Sequence, residues 1–146
     1  MSDTAQVTLA QLEQSVCATL EQLAFAEALP CKPPEAGAPE LLSTRLAFTG
    51  PLAGALTLRI PEPLARELAG DVLGDPDAAA DPAAVRDAVG EFLNTIAGTL
   101  LRDAGLEGYE LGLPEPAQAG GPPDREAWLE VRGQRLSLAF EPALPS

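Results

Sequence analysis

Asp87-Ala88-Val89-Gly90-Glu91-Phe92-Leu93-Asn94-Thr95-Ile96-Ala97-Gly98 sits inside the stretch from about Pro82 to Arg102, which reads as the longest helix of the chain. At about 100° per residue, Val89, Phe92, Leu93, Ile96 and Leu100 share one side. Asp87, Glu91, Asn94 and Gly98 share the other. Burial of each large apolar side chain is worth roughly 1.5 to 3 kcal/mol, so the first side docks on a core. The second side is a polar stripe that stability alone does not explain. Asparagine is a poorer helix former than alanine or glutamate by some tenths of a kcal/mol, and a helical glycine costs about 1 kcal/mol.

Asn94 is the only asparagine, and there is no histidine to act as general acid or base. The stripe therefore offers a carboxylate one turn from a carboxamide. A carboxamide oxygen accepts one hydrogen bond from a water while its NH2 donates two, so it can orient a nucleophilic water without taking its proton. A solvated helix face with no task is the competing interpretation.

Working outward, Asp81-Pro82 supplies the cap and first-turn proline of this helix, and Gly105 its end. Before it, Leu64, Leu68 and Val72 form the stripe of a shorter helix, Leu64 to Leu73, opened by Pro61 and Pro63 and stopped by Gly74. Upstream again, Leu42-Thr44-Leu46-Phe48 and Leu56-Leu58-Ile60 alternate around Thr49-Gly50-Pro51-Leu52-Ala53-Gly54, a hairpin signal. Pro30 to Pro39 is a proline-rich crossing connection. From Thr8 to about Glu27, Leu9, Leu12, Val16, Leu20 and Leu23 mark an amphipathic helix capped by Thr8. Its polar face has Gln11, Gln14, Glu21 and Gln22 but no asparagine.

Downstream, Tyr109–Leu113, Trp128–Arg132 and Arg135–Phe140 read as strands, with Gly133-Gln134 as a type II′ turn between the last two. Gln118 to Asp124 is a loop expected to be mobile. The fold class expected is α+β: an antiparallel sheet of about five or six strands with two long helices and a shorter one on one layer. One domain spans residues 1–146, with a flexible start over 1–7 and a tail from 141.

A formal charge of −13 with one lysine and eight scattered arginines argues against nucleic acid and anionic membrane surfaces. No apolar run reaches the roughly 18 residues that span a bilayer, and Met1-Ser2-Asp3-Thr4 lacks a signal peptide's basic start, so a cytoplasmic location is expected. Cys17 and Cys31 are too few for a metal framework and are expected to be reduced. Cys17 reads as a small core residue, and no base lies near Cys31 to make it a nucleophile.

The D-x3-E-x2-N spacing of Asp87, Glu91 and Asn94, within Gly90-Glu91-Phe92-Leu93-Asn94-Thr95-Ile96-Ala97-Gly98, resembles the signature of the CheX/CheC/FliY chemotaxis phosphatases. Phe48-Thr49-Gly50-Pro51-Leu52-Ala53-Gly54 before it and Leu111-Gly112-Leu113-Pro114 after it are placed as CheX-like members place theirs. The resemblance covers roughly residues 40 to 140. It implies hydrolysis of the acyl phosphate of a phosphorylated CheY-like receiver domain. Asn94 would position the water and Glu91 would pair with the receiver's lysine. Asp87 and Gly98 are candidate partner contacts, and the divalent metal belongs to the receiver, with no cofactor of the chain's own. It also implies internal pseudo-symmetry, with a single active face because the first helix lacks the D-x3-E-x2-N pattern, and it allows a homodimer joined through a sheet edge.

Two departures stand out. Pro114 and Pro116 come earlier than the proline of CheC-type members, which suits the single-site CheX type. Thr99 stands where many CheX-like proteins have a second asparagine. A noncatalytic receiver-binding adaptor and a plain dimerisation module remain the alternatives.

Overall fold

The computed structural model describes residues 7–34, 41–50, 53–75, 77, 80–105, 108–117 and 125–142. Helix α1 (Leu9–Ala24) starts at a reciprocal cap: the Gln11 N–H donates to Thr8 Oγ1 at 3.1 Å, and the Thr8 N–H to Gln11 Oε1 at 2.9 Å. The expected extension to Glu27 is not made. Phe25 turns left-handed at φ 53°, and the Ala26 N–H returns to the Leu20 carbonyl at 3.1 Å. No glycine announces this stop, so it was invisible in the pattern. Phe25 holds a backbone conformation costly for an L residue while 91% of its surface faces solvent. Phe25→Gly is therefore expected to raise stability by about 1 kcal/mol, read as a higher urea midpoint at unchanged m-value.

Val7, the last residue of the stretch expected to be flexible, is held in place. Val7 is fully buried, and its carbonyl accepts from Arg125 Nη1, so apolar burial anchors the chain there. Residues 1–6, 35–40, 118–124 and 143–146 lie outside the described residues, and with them half of the proline-rich connection, the glycine-rich loop and most of the tail.

The seven strands are β1 (Ala28–Pro30), β2 (Leu41–Thr49), β3 (Gly54–Pro61), β4 (Glu110–Leu111), β5 (Glu115–Pro116), β6 (Arg125–Val131) and β7 (Gln134–Pro142). They form one sheet in the order β1-β6-β7-β3-β2-β4, with β5 also paired to β2, and every pairing is antiparallel. β2 (Leu41–Thr49) and β3 (Gly54–Pro61) form the expected hairpin, in register Leu42↔Ile60 through Leu46↔Leu56. β6 (Arg125–Val131) and β7 (Gln134–Pro142) form the second hairpin, and β7 pairs with β3 at the centre. The three-residue β1 (Ala28–Pro30) is not announced by the sequence pattern, which opens the connection at Pro30: the strand ends in proline and is too short to alternate.

Helices α2 (Glu62–Leu73) and α3 (Pro82–Asp103) join α1 over one sheet face. Leu46, Phe48, Leu56, Leu58, Leu138 and Phe140 meet the helices in one core, whereas Ala55 and Ala139 on the opposite face stay outside it. Phe48 and Phe140 stack with ring centres 6.2 Å apart. On the opposite face, Arg135 Nη1 donates to the carbonyls of Lys32 (3.4 Å) and Pro33 (3.3 Å), seating the beginning of the crossing connection.

Two sequence expectations are corrected. The β6–β7 turn is Arg132-Gly133, not Gly133-Gln134: Val131 pairs with Gln134, and Arg132 (φ 52°) and Gly133 (φ 79°) are both left-handed. Two positive φ values make a type I′ turn, whose twist matches the strands. Arg132 tolerates the conformation while its guanidinium donates to Asp71 at 2.5 Å and lies 3.6 Å from Glu67, tying the hairpin tip to α2.

The expected strand Tyr109–Leu113 is shortened to β4 (Glu110–Leu111), and a further short strand that the sequence does not announce, β5 (Glu115–Pro116), follows it, both on β2. Pro114 and Pro116 have no N–H to sustain a ladder. The segment is pinned between them and around them by Gly112 N–H to the Ala47 carbonyl at 2.7 Å and Ala117 N–H to the Ser43 carbonyl at 2.9 Å. A Cβ on Gly112 would stand 3.1 Å from that Ala47 oxygen, so the close approach favours glycine.

Both outer edges of the sheet are interrupted. The Cys31 N–H bonds the Trp128 carbonyl at 2.9 Å, so by antiparallel alternation Ala28 and Pro30 face away from β6. The outward Ala28 carbonyl accepts from Cys17 Sγ at 3.2 Å, and Pro30 has no N–H to offer. On the far side the same alternation, set by Ala117 on Ser43, turns Pro116 outward.

Candidate functional site

α3 begins where the sequence indicates. The Asp81 side chain accepts from the Ala83 N–H at 3.0 Å, Pro82 occupies the first turn, and beyond the helix Gly105 is left-handed at φ 76°. Val89, Phe92, Leu93, Ile96 and Leu100 are all buried, as their spacing requires. Asp87, Glu91 and Asn94 are exposed on the opposite side. None of these three side chains makes a hydrogen bond or salt bridge among the described residues. Asp87 is past the first helical turn, where the dipole's influence has faded, so the dipole accounts for little of its placement.

The missing side chain of Gly98 can serve either as a seat for a strand of this domain or as a gap for a partner. A Cβ built there meets nothing within 4 Å, so no strand among the described residues uses the space. Gly98→Ala is expected to stabilise the chain by about 1 kcal/mol in chemical denaturation, the ordinary gain of alanine over glycine within a helix.

Residues four apart stack along a helix, so Arg86, Gly90, Asn94 and Gly98 form one row. Asn94 thus has a glycine one turn below and another one turn above. The lower notch is filled: Gly90 is buried, and a Cβ there would stand 3.2 Å from Cβ of Pro114. The upper notch is open. The carboxamide stands between them with no side chain beside it in its own row.

Below Asn94 an open groove of about 730 Å³ runs between α3 and the β2–β5 edge. Its apolar lining includes Leu42, Val89, Pro114 and Pro116; Asp87, Glu91, Glu115 and Arg86 supply its charged groups. The groove and the Gly90–Pro114 contact were missed in the sequence. The available signal was a second glycine in a long helix, a residue that costs stability unless something approaches closely.

Other chemistry is poorly supported. Burial, followed by Glu13 and Glu21, pushes the Cys17 thiol above its usual range. Burial also raises Cys31, against the opposing pull of Arg135. Both cysteines are half-buried and free, and a raised pKa withholds the thiolate a nucleophile needs. Among the described residues no three His, Cys, Asp or Glu side chains gather as a metal site. No helix among them is long and apolar enough to cross a membrane.

Comparisons with known proteins agree with this fold. Three similar solved structures share the fold. A CheX from Vibrio vulnificus superposes with a TM-score of 0.70 at 21% identity, covering 96% of this chain and 100% of that one. A CheX from Desulfovibrio desulfuricans gives 0.71 at 18% identity, covering 92% and 97%. A CheX-CheY-BeF3-Mg²⁺ complex from Borrelia burgdorferi gives 0.71 at 11% identity, covering 97% and 100%. No curated protein matches the chain by sequence. The family model described as chemotaxis phosphatase CheX matches residues 42–126, which include β2, β3, α2, α3 and the pinned segment after it. The chain belongs to the chemotaxis phosphatase CheX family.

Proposed function

We propose that this chain dephosphorylates a phosphorylated CheY-like receiver domain, with Asn94 holding the attacking water. The observation that carries the reading is a solvent-facing carboxamide, unpartnered among the described residues, in the middle of a helix whose other side is locked in the core. The family supports the reaction class, and the Borrelia burgdorferi structure is of a CheX bound to CheY with BeF3, a mimic of the phosphoryl group.

In the reaction, water attacks phosphorus, the bond to the receiver's aspartate oxygen breaks, and inorganic phosphate and free aspartate result. An acyl phosphate is already reactive, so placing the water in line is a sufficient contribution. The carboxamide can accept from the water while its NH2 donates to the phosphoryl oxygens. Glu91, one turn away, pairs with a lysine of the receiver through a charge-assisted bond, and Asp87 extends that contact. The divalent ion is the receiver's. The open space at Gly98 admits the partner's surface, so Gly98→Ala lowers phosphatase activity even as it stabilises the fold.

The sheet edges, each blunted by an outward proline, lend no support to pairing two copies edge to edge. The test is the decay of a phosphorylated receiver with and without the chain. Acceleration upholds the proposal; binding without acceleration makes the chain an adaptor instead.

A further inference from the structure

We infer that Leu113 is the apolar anchor by which the phosphorylated receiver docks beside Asn94, and so sets affinity for that partner. The inference rests on the receiver-phosphatase reading and adds to it a residue outside the D-x3-E-x2-N pattern.

Leu113 exposes 83% of its surface. A lone exposed leucine is ordinary when its backbone is free to move. Here the chain is held on both sides, by Gly112 on the Ala47 carbonyl at 2.7 Å and by the Glu115↔Arg45 pairing of β5. Its neighbour Pro114 closes on Gly90, directly below Asn94 in the same helical row. Adjacent Cα atoms are about 3.8 Å apart, so the leucine stands within one residue's reach of the helix face that carries the carboxamide. The backbone is thus fixed and the apolar side chain is left out in water. That combination is what a pre-ordered anchor needs, since little entropy is lost when a partner covers it.

The groups around it define the partner's matching surface. The groove that opens at neighbouring Pro114 is lined by Asp87, Glu91 and Glu115 together with Arg86, so its charge is negative on balance and cationic side chains of a partner are favoured there. The leucine itself requires an apolar recess next to the phosphorylated aspartate. A receiver domain that offers both features is the occupant.

The test compares Leu113→Ala with the parent by titration against a receiver domain loaded with beryllofluoride and Mg²⁺, and by decay of the phosphorylated receiver over a range of receiver concentrations. Leu29→Ala, which truncates a 55% exposed leucine on edge strand β1, is the control. Leu113→Ala should weaken binding about tenfold and raise the half-saturating receiver concentration by a similar factor, with the maximal rate unchanged. Leu29→Ala should change neither. Unaltered affinity in Leu113→Ala, or a fall confined to the maximal rate, overturns the anchor and leaves the phosphatase reading intact. A parent chain that binds without accelerating decay overturns the phosphatase reading, while the titration still decides the anchor. A parent that does not bind overturns both.

Discussion

Asn94→Ala should abolish acceleration of receiver dephosphorylation, lowering the maximal rate by about 10²-fold towards the receiver's own, while binding is kept. The side chain is exposed and makes no contact that the fold needs, and alanine is the better helix former by some tenths of a kcal/mol. The variant is therefore expected to unfold at an equal or slightly higher urea concentration. A loss of rate cannot then be ascribed to misfolding. Asn94→Gln makes the sharper comparison. It retains the carboxamide but moves it outward by one methylene, and a misplacement of about 1 Å can cost on the order of 10²-fold where geometry is the whole contribution. If Asn94→Gln keeps full activity, the water-positioning mechanism fails; so too if Asn94→Ala is as active as the parent. Single-turnover decay of phosphorylated receiver at saturating chain concentration separates this loss from one of affinity.

Phe92→Ala should do the reverse two residues away, lowering stability by about 3 to 5 kcal/mol. Phe92 is 2% exposed and points into the core beneath the polar stripe, so its removal leaves a cavity under the middle of α3. Total stability is typically about 5 to 15 kcal/mol, so the variant is expected to be marginal at 37 °C. Chemical denaturation at 25 °C, followed through the single tryptophan, Trp128, gives the midpoint. A shift worth less than about 1 kcal/mol would mean that the core closes over the gap and that the helix face is less rigid than its burial indicates. At low temperature, where Phe92→Ala is still folded, activity should partly survive, because the reacting groups are untouched.

The contrast between these two positions was legible in the sequence because a helix separates faces by arithmetic. Val89, Phe92 and Ile96 could face only one way, and Asp87, Glu91 and Asn94 the other. Asp81-Pro82, Gly74 and Thr8 also declared themselves, since caps have local chemistry. What escaped was settled by distant contacts. α1 stops at Phe25 with no glycine to signal it. The left-handed Arg132 is held by Asp71 and Glu67 of another element, information that no window around residue 132 contains. Strand β1 is defined by β6, about a hundred residues later in the chain, and its three residues have too short a pattern to show alone. The site divides in the same way. Its helical stripe was readable, but the seat of Pro114 on Gly90 and the exposed leucine before it needed the fold to bring residues from two segments together.

The prolines that face outward at each margin of the sheet bear on how the protein behaves in concentrated solution. A terminal strand interrupted by an outward proline makes a poor template for cross-β growth, and a formal charge of −13 keeps molecules apart. Fibril seeding and slow precipitation should accordingly be rare even in crowded conditions, so long as the chain stays folded.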